Sequence, residues 1–374
     1  MFLRPYISLT RTNIHRGVSR LFFKASSTSS VVTRTQFSHR KDASLLIRST
    51  TRRYSGSSEG DGVTGHLENS LLWTKDELSQ IITKQGQAPL PPNLNDRILN
   101  QVQVLLLTVN KNEFNATKSL LEPLKGHDSI FTYHHRLDSL HSTDTAIYYI
   151  GQYGSCVAAI SKIDPGSALR TGVSFAPNLA YHCFRNLGAI IAVGVACGVE
   201  GKSRMCDVLV SSKVVNYDKA RVEGGGFTSR GEAIPASGYL QQIFSQSEWP
   251  HVSKDICSRL SETSLPEIHQ GTILSGPYLI DDAKFKAKLL KSFAKEAIGI
   301  EMEGSGLFAA THQTRTHCIL VKSVCDFGDG KKNKTYQPTA AVLAADCVRH
   351  VLSDPQVPGM LSNQTMMKNN YQSE

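Results

Sequence analysis

The apolar residues of the chain form two alternating patterns: short continuous runs, and longer segments in which they recur every three or four positions. The continuous runs predict strands that are buried on both faces, as in a largely parallel sheet. The recurring positions predict amphipathic helices. The predicted strands are 102–109, 145–154, 189–198, 207–215, 271–276 and 317–326, and the predicted helices are 75–83, 113–121, 284–296, 304–310 and 340–352.

Strand and helix signals alternate from residue 101 to residue 353, which predicts one α/β domain with a mostly parallel or mixed central sheet. The stretch 216–235 between two of the strands is predicted to be rich in loops. In sheets of this kind, active sites collect at the carboxyl ends of the strands. The residues at these ends are therefore the first candidates for chemistry.

The first 54 residues differ in composition from the rest of the chain. They are rich in Arg and Ser/Thr and hold eleven basic residues but a single acidic one. With a basic amphipathic segment at 14–24, this composition is typical of a mitochondrial transit peptide, and residues 52–55 resemble a processing site. We therefore expect 1–54 to direct the protein to the mitochondrial matrix. The alternative is a disordered basic tail on a cytoplasmic protein.

The leader accounts for the formal net charge of +9, because residues 55–374 hold 30 basic and 31 acidic residues. Bulk charge therefore gives no support for a nucleic-acid partner. No run approaches the ~20 apolar residues of a membrane span, so no membrane association of the mature form is expected. The eight cysteines are scattered and form no CxxC pair, which indicates buried, reduced thiols.

Two further segments flank the predicted domain. Residues 55–100 begin with a Gly/Ser-rich stretch and include a Pro-rich one, which predicts a linker followed by a small appendage. Residues 354–374 contain Pro355 and Pro358 and end in polar residues, which predicts a flexible tail.

Three acidic residues lie at the ends of predicted strands or begin the elements that follow. Asp326 ends the strand 317–326 and is followed by glycines, so it is expected to be partly desolvated and suited to general acid catalysis. The alternative is a carboxylate that caps the next turn. Glu303, in the segment GIEMEG, and Glu113, after the first predicted strand, have the alternative of acids at the positive ends of helices.

The order of these segments resembles that of the nucleoside phosphorylase/nucleosidase superfamily. The resemblance covers about 102–352 and rests on the glycine-containing strand 189–198, on GIEMEG and on the strand that ends in Asp326. Its nearest branch is the methylthioadenosine/S-adenosylhomocysteine nucleosidases and similar eukaryotic phosphorylase-domain proteins. It implies a three-layer α/β/α sandwich, a homodimer or higher homo-oligomer, a small nucleoside substrate, and no metal or organic cofactor.

The resemblance also implies roles for individual residues. Asp326 matches the acid that protonates N7 of the purine, and Glu303 matches the carboxylate that binds the ribose hydroxyls. Met302 matches the residue that packs against the sugar, and Glu113 matches the base that orients the attacking water. Glu301 belongs to the same motif and is expected at the substrate site. Protonation of N7 makes the purine a viable leaving group, and a nearby carboxylate stabilises an oxocarbenium-like ribosyl group.

The attacking group separates hydrolases from phosphorylases. Phosphorylases of this family usually carry an Arg near the first strand and a Ser or Thr on the glycine strand. Here the first-strand loop has Lys111 but no Arg, and Val195 and Cys197 stand where a hydroxyl is expected. Val195 and Gly198, at the end of that strand, are expected beside the substrate. Because Glu113 repels phosphate but suits water, we expect hydrolysis, with a phosphorylase as the alternative.

Two positions depart from the family pattern. Cys325 precedes the acid where the family has Ser, and a thiol donates a hydrogen bond only weakly. The family's Ser-Gly-Asp segment reads Ser-Gly-Pro here, and Pro277 supplies neither a carboxylate nor a backbone donor. Tyr278 and Leu279 follow and are expected to pack on the base, while Cys325 is expected to lie beside the substrate.

The sequence leaves the 5′ substituent of the substrate open. The leading expectation is an adenine nucleoside such as methylthioadenosine or S-adenosylhomocysteine. Five basic residues near the predicted site either belong to solvated loops or clamp a 5′-phosphate, as in related proteins that release adenine from AMP or ATP. They are Lys202, Arg204, Lys331, Lys332 and Lys334. Outside the enzymes, the alternative is a nucleoside-binding sensor module.

Overall fold

A computed structural model describes residues 73–83, 85–136, 145–164, 172–223, 226–253, 265–314, 316–331 and 334–361. All of these belong to one compact unit, which spans 63–374. The predicted leader, the start of the predicted linker, Lys332 and the last residues of the predicted tail lie outside the described residues. None of the described helices is long and apolar enough to cross a lipid bilayer.

The described helices and strands alternate along the chain. The helices are α1 (Lys75–Thr83), α2 (Asn95–Leu99), α3 (Lys111–Ser119), α4 (Ala176–Cys183), α5 (Gly238–Ser245), α6 (Ala283–Phe293), α7 (Gly304–Thr314) and α8 (Gln337–Val351). The strands are β1 (Gln87–Pro89), β2 (Val104–Thr108), β3 (Ile130–Arg136), β4 (Thr145–Tyr153), β5 (Cys156–Lys162), β6 (Ala189–Gly198), β7 (Val208–Asn216), β8 (Ala220–Glu223), β9 (Gly226–Ser229), β10 (Ala233–Pro235), β11 (Ile268–Ser275), β12 (Gly299–Glu301) and β13 (His317–Asp326).

Eleven of these strands build one sheet, in the order β1-β3-β4-β5-β2-β6-β12-β11-β7-β10, with β13 paired to both β6 and β7. The pairs β2–β6, β6–β13 and β7–β11 are parallel. The pairs β6–β12 and β7–β13 are antiparallel, so the sheet is mixed, as predicted. Because β13 bridges β6 and β7, the strands β6, β12, β11, β7 and β13 close into a ring.

Helices cover this sheet. Helices α3 and α8 pack against each other and against β6, and α5 and α7 pack against β7 and β13. The predicted α/β class with a mixed central sheet is therefore confirmed. Strands β2, β6 and β13 are buried almost throughout, which explains their continuous apolar runs. Lys322, in the middle of β13, is a charged residue within such an apolar run, and it is only 1% exposed.

The segment predicted as an appendage is part of the domain where the structure describes it, so that prediction is wrong for 73–100. Trp73 and Leu78 are buried in the main hydrophobic core. The Trp73 N–H donates to Thr339 Oγ1 at 2.9 Å, and β1 joins the sheet as a parallel neighbour of β3. Pro-rich composition hid this strand, because β1 lies at the sheet edge, where proline is tolerated.

The predicted flexible tail is also corrected for its first residues. Residues 357–361 form a helical turn, and Val357 and Leu361 are buried in the main core. Leu361 packs directly on Gly188, where an added Cβ would lie 2.7 Å from the Leu361 carbonyl oxygen. The domain therefore continues past residue 353, because these apolar side chains fill space that a glycine leaves open.

The stretch 216–235 is not as irregular as predicted. It contains the hairpin β8–β9 and the short strand β10, which pairs with β7 in antiparallel fashion. These strands are only three or four residues long, so they lack the long apolar run that marked the central strands. The strands β3 and β5 and the helices α4 and α5 also went unpredicted, although β5 reads CVAAISK and carries a short apolar run.

Candidate active site

A cavity of about 190 Å³ lies where several strands of the sheet end. Its wall is built from the β2–α3 junction, the carboxyl end of β6, residues 278–280, the β12–α7 junction, the end of β13 and the first residue of α8. Nine of the ten residues predicted at the substrate site line it together. They are Glu113, Val195, Tyr278, Leu279, Glu301, Met302, Glu303, Cys325 and Asp326.

Glu113 reaches the cavity from the first turn of α3, where it completes a capping box. The Asn110 side chain accepts hydrogen bonds from the N–H groups of Asn112 and Glu113, at 2.9 and 3.0 Å. In return, Glu113 Oε2 accepts from the N–H groups of Val109 and Asn110, at 2.9 and 3.0 Å. This reciprocal pattern satisfies helix-terminal donors, so the carboxylate is fixed by the same bonds that begin the helix.

The other oxygen of Glu113 points at β6. Its Oε1 accepts from the Val195 N–H at 3.0 Å. A Cβ on Gly194 would lie 2.4 Å from this oxygen, so glycine is required for the carboxylate to approach the strand. Gly194 therefore leaves the space that the Glu113 carboxylate occupies.

Glu301, the last residue of β12, caps the helix that follows. Its carboxylate accepts from the N–H of Glu303 at 2.9 Å and from the N–H of Gly304 at 2.9 and 3.0 Å. Ser275 Oγ accepts from the Ser305 N–H at 2.8 Å and completes the start of α7. Glu301 lines the cavity, but its carboxylate oxygens accept hydrogen bonds from the N–H groups at the start of α7. Glu301 therefore caps that helix, which Glu303 does not.

Glu303 turns toward a buried cation. Its Oε2 lies 3.3 Å from Lys322 Nζ, and Glu301 Oε2 lies 3.8 Å from the same nitrogen. Lys322 stands opposite Gly194 on the neighbouring strand β6. Glu113, Glu301, Glu303 and Lys322 therefore form what we call the carboxylate–lysine cluster, with three acids around one ammonium group.

Burial and the mutual charges of this cluster shift the pKa values of its acids and of its lysine. Burial raises the pKa of Glu301 to about 7, the charge of Glu303 adds to that rise, and Lys322 opposes it. Burial likewise raises the pKa of Glu113, and again Lys322 opposes the change. Burial alone would lower the pKa of Lys322, but the three carboxylates outweigh it and hold that pKa above its ordinary value. Lys322 is therefore charged, and the cluster retains an excess of acid groups.

Asp326 is placed at the cavity by a bulge in β13. Its register with β6 shifts between Val324 and Asp326, so Cys325 is the extra residue. Asp326 Oδ1 accepts from the Gly328 N–H at 3.1 Å, and the Cys325 thiol donates to Oδ2 at 3.4 Å. We call residues 326–330 the acid turn. The bulge brings Cys325 and Asp326 both into the cavity wall, although they are consecutive in a strand.

The mouth of the cavity is aromatic and apolar. Tyr278 and Leu279 are 59% and 67% exposed. The Tyr217 hydroxyl donates to the Tyr278 carbonyl oxygen at 3.1 Å and accepts from the Tyr278 N–H at 3.3 Å. Gly276 lies against the Tyr217 ring, where an added Cβ would be 2.5 Å away. This wall suits a flat, apolar group such as a purine base.

Another part of the wall is polar. Gln337, the first residue of α8, lines the cavity, and its Oε1 accepts from Asn112 Nδ2 at 3.1 Å. This amide pair joins the first turns of α3 and α8, whose N-terminal ends carry partial positive charge. The cavity therefore combines an apolar mouth, an acidic interior and an amide-lined edge.

The prediction that Gly198 contacts the substrate is not supported by the geometry. It is not among the residues that line the cavity. An added Cβ there would lie 2.7 Å from Val324 Cγ1 and 3.0 Å from Phe327. Gly198 is thus required for packing between β6 and the end of β13, which explains why the glycine is there without a ligand.

The candidate basic clamp is dispersed. Lys202 Nζ donates to the carbonyl oxygens of Ala297, at 3.0 Å, and Lys295. Arg204 pairs with Glu267 at 2.8 Å and with Asp207 at 3.5 Å. Neither residue lines the cavity, so these two serve the packing of loops.

Sequence reasoning missed two members of the site. Lys322 was not singled out, although a lone lysine inside an apolar strand signals a buried charge that needs partners. Gln337 carried no signal, because only the tertiary fold brings the start of α8 beside α3. Among the described residues, no cluster of three or more His, Cys, Asp or Glu side chains is arranged to hold a metal ion.

Comparison with known families identifies the class of protein that this fold and cavity define. The family described as the Phosphorylase superfamily matches residues 138–353, and the chain belongs to that superfamily. The match includes Glu303, Lys322 and Asp326 and begins after Glu113. The described fold of 101–353 thus has the class expected from the sequence.

Two relatives of this chain are named as nucleosidases. A death domain-containing ATP nucleosidase of Amphimedon queenslandica is 31% identical over 277 residues, which is 70% of this chain and 50% of that protein. The chain thus spans half the length of that relative. A 5′-methylthioadenosine/S-adenosylhomocysteine nucleosidase of Maridesulfovibrio salexigens is 25% identical over 256 residues, 67% of this chain and 93% of that protein.

Solved structures agree on the fold. The crystal structure of an S-adenosylhomocysteine nucleosidase of Streptococcus pyogenes, in complex with 5-methylthiotubericidin, superimposes with a TM-score of 0.52 at 17% identity. The alignment covers 68% of this chain and 97% of that chain. At this identity the similarity concerns the fold alone.

Proposed function

We propose that this protein hydrolyses the N-glycosidic bond of an adenine nucleoside or nucleotide and releases free adenine. The observation that carries the proposal is the meeting of Asp326 with the carboxylate–lysine cluster in one cavity. An acid on one side and carboxylates on the other are what cleavage through an oxocarbenium-like ribosyl group requires. The names of the two relatives described above, an ATP nucleosidase and a 5′-methylthioadenosine/S-adenosylhomocysteine nucleosidase, point the same way.

The leaving group is activated by Asp326. As the C1′–N9 bond breaks, both of its electrons move to the adenine, and N7 takes the proton of the Asp326 carboxyl group. Help of this kind is worth about 10²–10⁴-fold, or roughly 3–5 kcal/mol. The apolar wall at Tyr278 and Leu279 holds the base and limits the water around this proton.

The ribosyl group is held on the other side. Glu303 accepts hydrogen bonds from the ribose hydroxyls and its charge stabilises the developing cation, while Met302 packs against the sugar. Lys322 fixes the direction of Glu303 through their 3.3 Å contact. A carboxylate held in advance stabilises charge without reorganising during the reaction.

Water is the attacking group. Glu113 accepts the water proton as the oxygen bonds to C1′, so the products are free base and a sugar with a hydroxyl at C1′. Burial raises the pKa of Glu113, which makes it a stronger base than an ordinary carboxylate. Three acids around one ammonium group disfavour a phosphate ion at the same place, and Val195 offers no hydroxyl to bind one.

The 5′ substituent has two candidates. Methylthioadenosine and S-adenosylhomocysteine are the substrates named for the relative that this chain matches over 93% of its length. A nucleotide such as ATP is favoured by the 31% identity with an ATP nucleosidase and by the polar edge at Gln337, the first residue of α8. Amide donors and helix N-terminal ends suit phosphate oxygens better than an alkylthio group.

A substrate panel tests the proposal. Purified protein is incubated with adenosine, methylthioadenosine, S-adenosylhomocysteine, AMP and ATP, with and without phosphate, and free base is measured by chromatography. We expect adenine release without phosphate. Absolute dependence on phosphate would instead identify a phosphorylase, and calorimetric binding without any release would identify a nucleoside-binding sensor.

The cellular proposals are separate. We propose that residues 1–54 direct import into the mitochondrial matrix, and that the mature protein forms a homodimer or larger homo-oligomer. Fusion of 1–54 to a fluorescent protein tests import, and light scattering of protein lacking 1–54 tests assembly. A cytosolic fusion, or a monomeric mass, would contradict the respective proposal.

A further inference from the structure

A buried lysine of helix α6 bonds to the main chain of the acid turn. Lys286 is 3% exposed, although lysine is rarely buried in proteins. Its Nζ donates to the carbonyl oxygen of Phe327 and to Glu200 Oε2, the latter at 2.8 Å. Phe327 directly follows Asp326, so this bond is made one residue from the candidate acid.

The acid turn needs such a bond because its own residues restrict it little. Gly328 and Gly330 have φ angles of 57° and 82°, in the region that favours glycine. Glycine populates many conformations about equally, so bonds from outside must select one. From outside the turn, Asp281 Oδ1 accepts from the Gly330 N–H at 3.1 Å. Within the turn, the Gly328 N–H donates to Asp326 Oδ1, also at 3.1 Å.

The ion pair of Lys286 does not by itself explain its burial. The Glu200 side chain is 59% exposed, and a lysine at the surface could reach such a carboxylate with less loss of hydration. Burial does place the ammonium group against the Phe327 carbonyl oxygen. The bond to the turn is therefore the contact that distinguishes Lys286 from the exposed lysines of α6.

We propose that Lys286 is a positioning residue for the general acid: it fixes the acid turn and thereby the direction of the Asp326 carboxyl group toward the base. This rests on the proposed function of Asp326. Asp281 ties the same turn to the residue after the cavity wall 278–280. The wall that holds the base and the turn that carries the acid are thus joined through the start of α6.

Two substrates separate this role from general stabilisation. Adenosine needs a proton at N7 before its base leaves, whereas a 4-nitrophenyl riboside releases a stable phenolate without one. In Lys286→Met, we expect kcat for adenine release to fall about 100-fold, the cost of a misplaced group, with little change in KM. Nitrophenolate release should persist, and Lys286→Arg should recover part of the loss because it retains a donor.

The matched control is Lys291→Met, which removes an exposed lysine of the same helix. It should leave both reactions unchanged. Equal loss on both substrates in Lys286→Met, or no loss on either, would overturn the proposal. If the unmodified protein releases no adenine from any substrate, the proposed function fails instead.

A readout without turnover tests the position itself. Amide hydrogen exchange of residues 327–330 should be faster in Lys286→Met than in the unmodified protein, while exchange in the middle of β13 stays slow. Lys291→Met should match the unmodified protein throughout. Unchanged exchange in the acid turn would overturn the proposal whether or not the protein is a nucleosidase.

Discussion

The acid turn and the carboxylate–lysine cluster face the same cavity but hold their carboxyl groups by different means. Asp326 is bonded by the Gly328 N–H of its own turn and by a weak thiol donor. The glutamates of the cluster surround the buried ammonium group of Lys322, and two of them are bonded into helix N-terminal ends. The position of Asp326 thus depends on hydrogen bonds to the backbone of the acid turn, including those of Lys286 and Asp281, whereas the cluster depends on charge balance.

This difference has a consequence for substitutions. Changes to Asp326, or to the groups outside the turn that fix its direction, should affect only steps that need a proton on the leaving group. Changes in the cluster should affect every substrate, and should also change stability, because removal of one buried charge leaves others uncompensated. Four variants test this contrast.

The largest effect is expected for Asp326→Asn. Loss of the general acid should lower kcat for adenine release by about 10²–10⁴-fold, while the isosteric amide preserves the fold. Nitrophenolate release from a 4-nitrophenyl riboside should be largely retained. Asp329→Asn, in the same turn, is the control and should keep both activities. Equal loss on the two substrates would show that Asp326 is not a proton donor.

Lys322→Met should destabilise the protein most. Three buried acid groups would lose their counter-charge, at a cost of about 3–5 kcal/mol, which lowers Tm by roughly 10 °C. The loss should shrink at lower pH, because protonation neutralises the acids. Lys213→Met, which breaks an exposed pair with Glu296 at 3.0 Å, is the control and should cost under about 1 kcal/mol. A small loss of stability in Lys322→Met that does not change with pH would contradict the view that Lys322 balances the charge of the three acids.

Glu303→Gln should lower kcat/KM by about 100-fold on both the adenine nucleoside and the nitrophenyl riboside, because its charge acts on the ribosyl group. Steady-state kinetics with both substrates measures this. If kcat/KM fell for the adenine nucleoside alone, Glu303 would act on the leaving group, as Asp326 is proposed to do, and not on the ribosyl group.

Glu301→Gln should change the pH dependence of stability more than activity. Between about pH 4.5 and 7 the folded protein holds a proton on Glu301 that the unfolded chain has released, so stability falls as pH rises. The variant should lose this contribution, on the order of 2 kcal/mol. Urea unfolding at pH 5 and pH 7.5 measures it, with exposed Glu122→Gln as control. If the free energy of unfolding of Glu301→Gln depended on pH as in the unmodified protein, the raised pKa of Glu301 would be contradicted.

The hydrophobic pattern predicted the central framework well because the central strands are buried on both faces. The predicted bounds of β6 and β13 match the structure residue for residue. Edge elements such as β1 were missed, because a short strand with one neighbour needs no apolar run. The burial of Leu361 was missed for a related reason: its partner Gly188 is distant in sequence.

The candidate site was predictable where acids follow strands. The two interpretations of Glu113, a helix-terminal acid or a site residue, prove compatible, since it completes a capping box and lines the cavity. The residue pattern alone does not distinguish Glu301 from Glu303; only the family resemblance did, because their difference arises from which one caps α7 and which one contacts Lys322. Lys322 itself was visible only as a polar interruption of an apolar strand.

Hydrolysis in H₂¹⁸O tests the central claim most directly. Single-turnover cleavage of an adenine nucleoside or nucleotide from the substrate panel, in labelled water without phosphate, is followed by mass spectrometry of the sugar. The cluster of acids around Lys322 predicts ¹⁸O at C1′ of the first product, and no product in Asp326→Asn on the same time scale. Unlabelled sugar phosphate formed only when phosphate is added would contradict it.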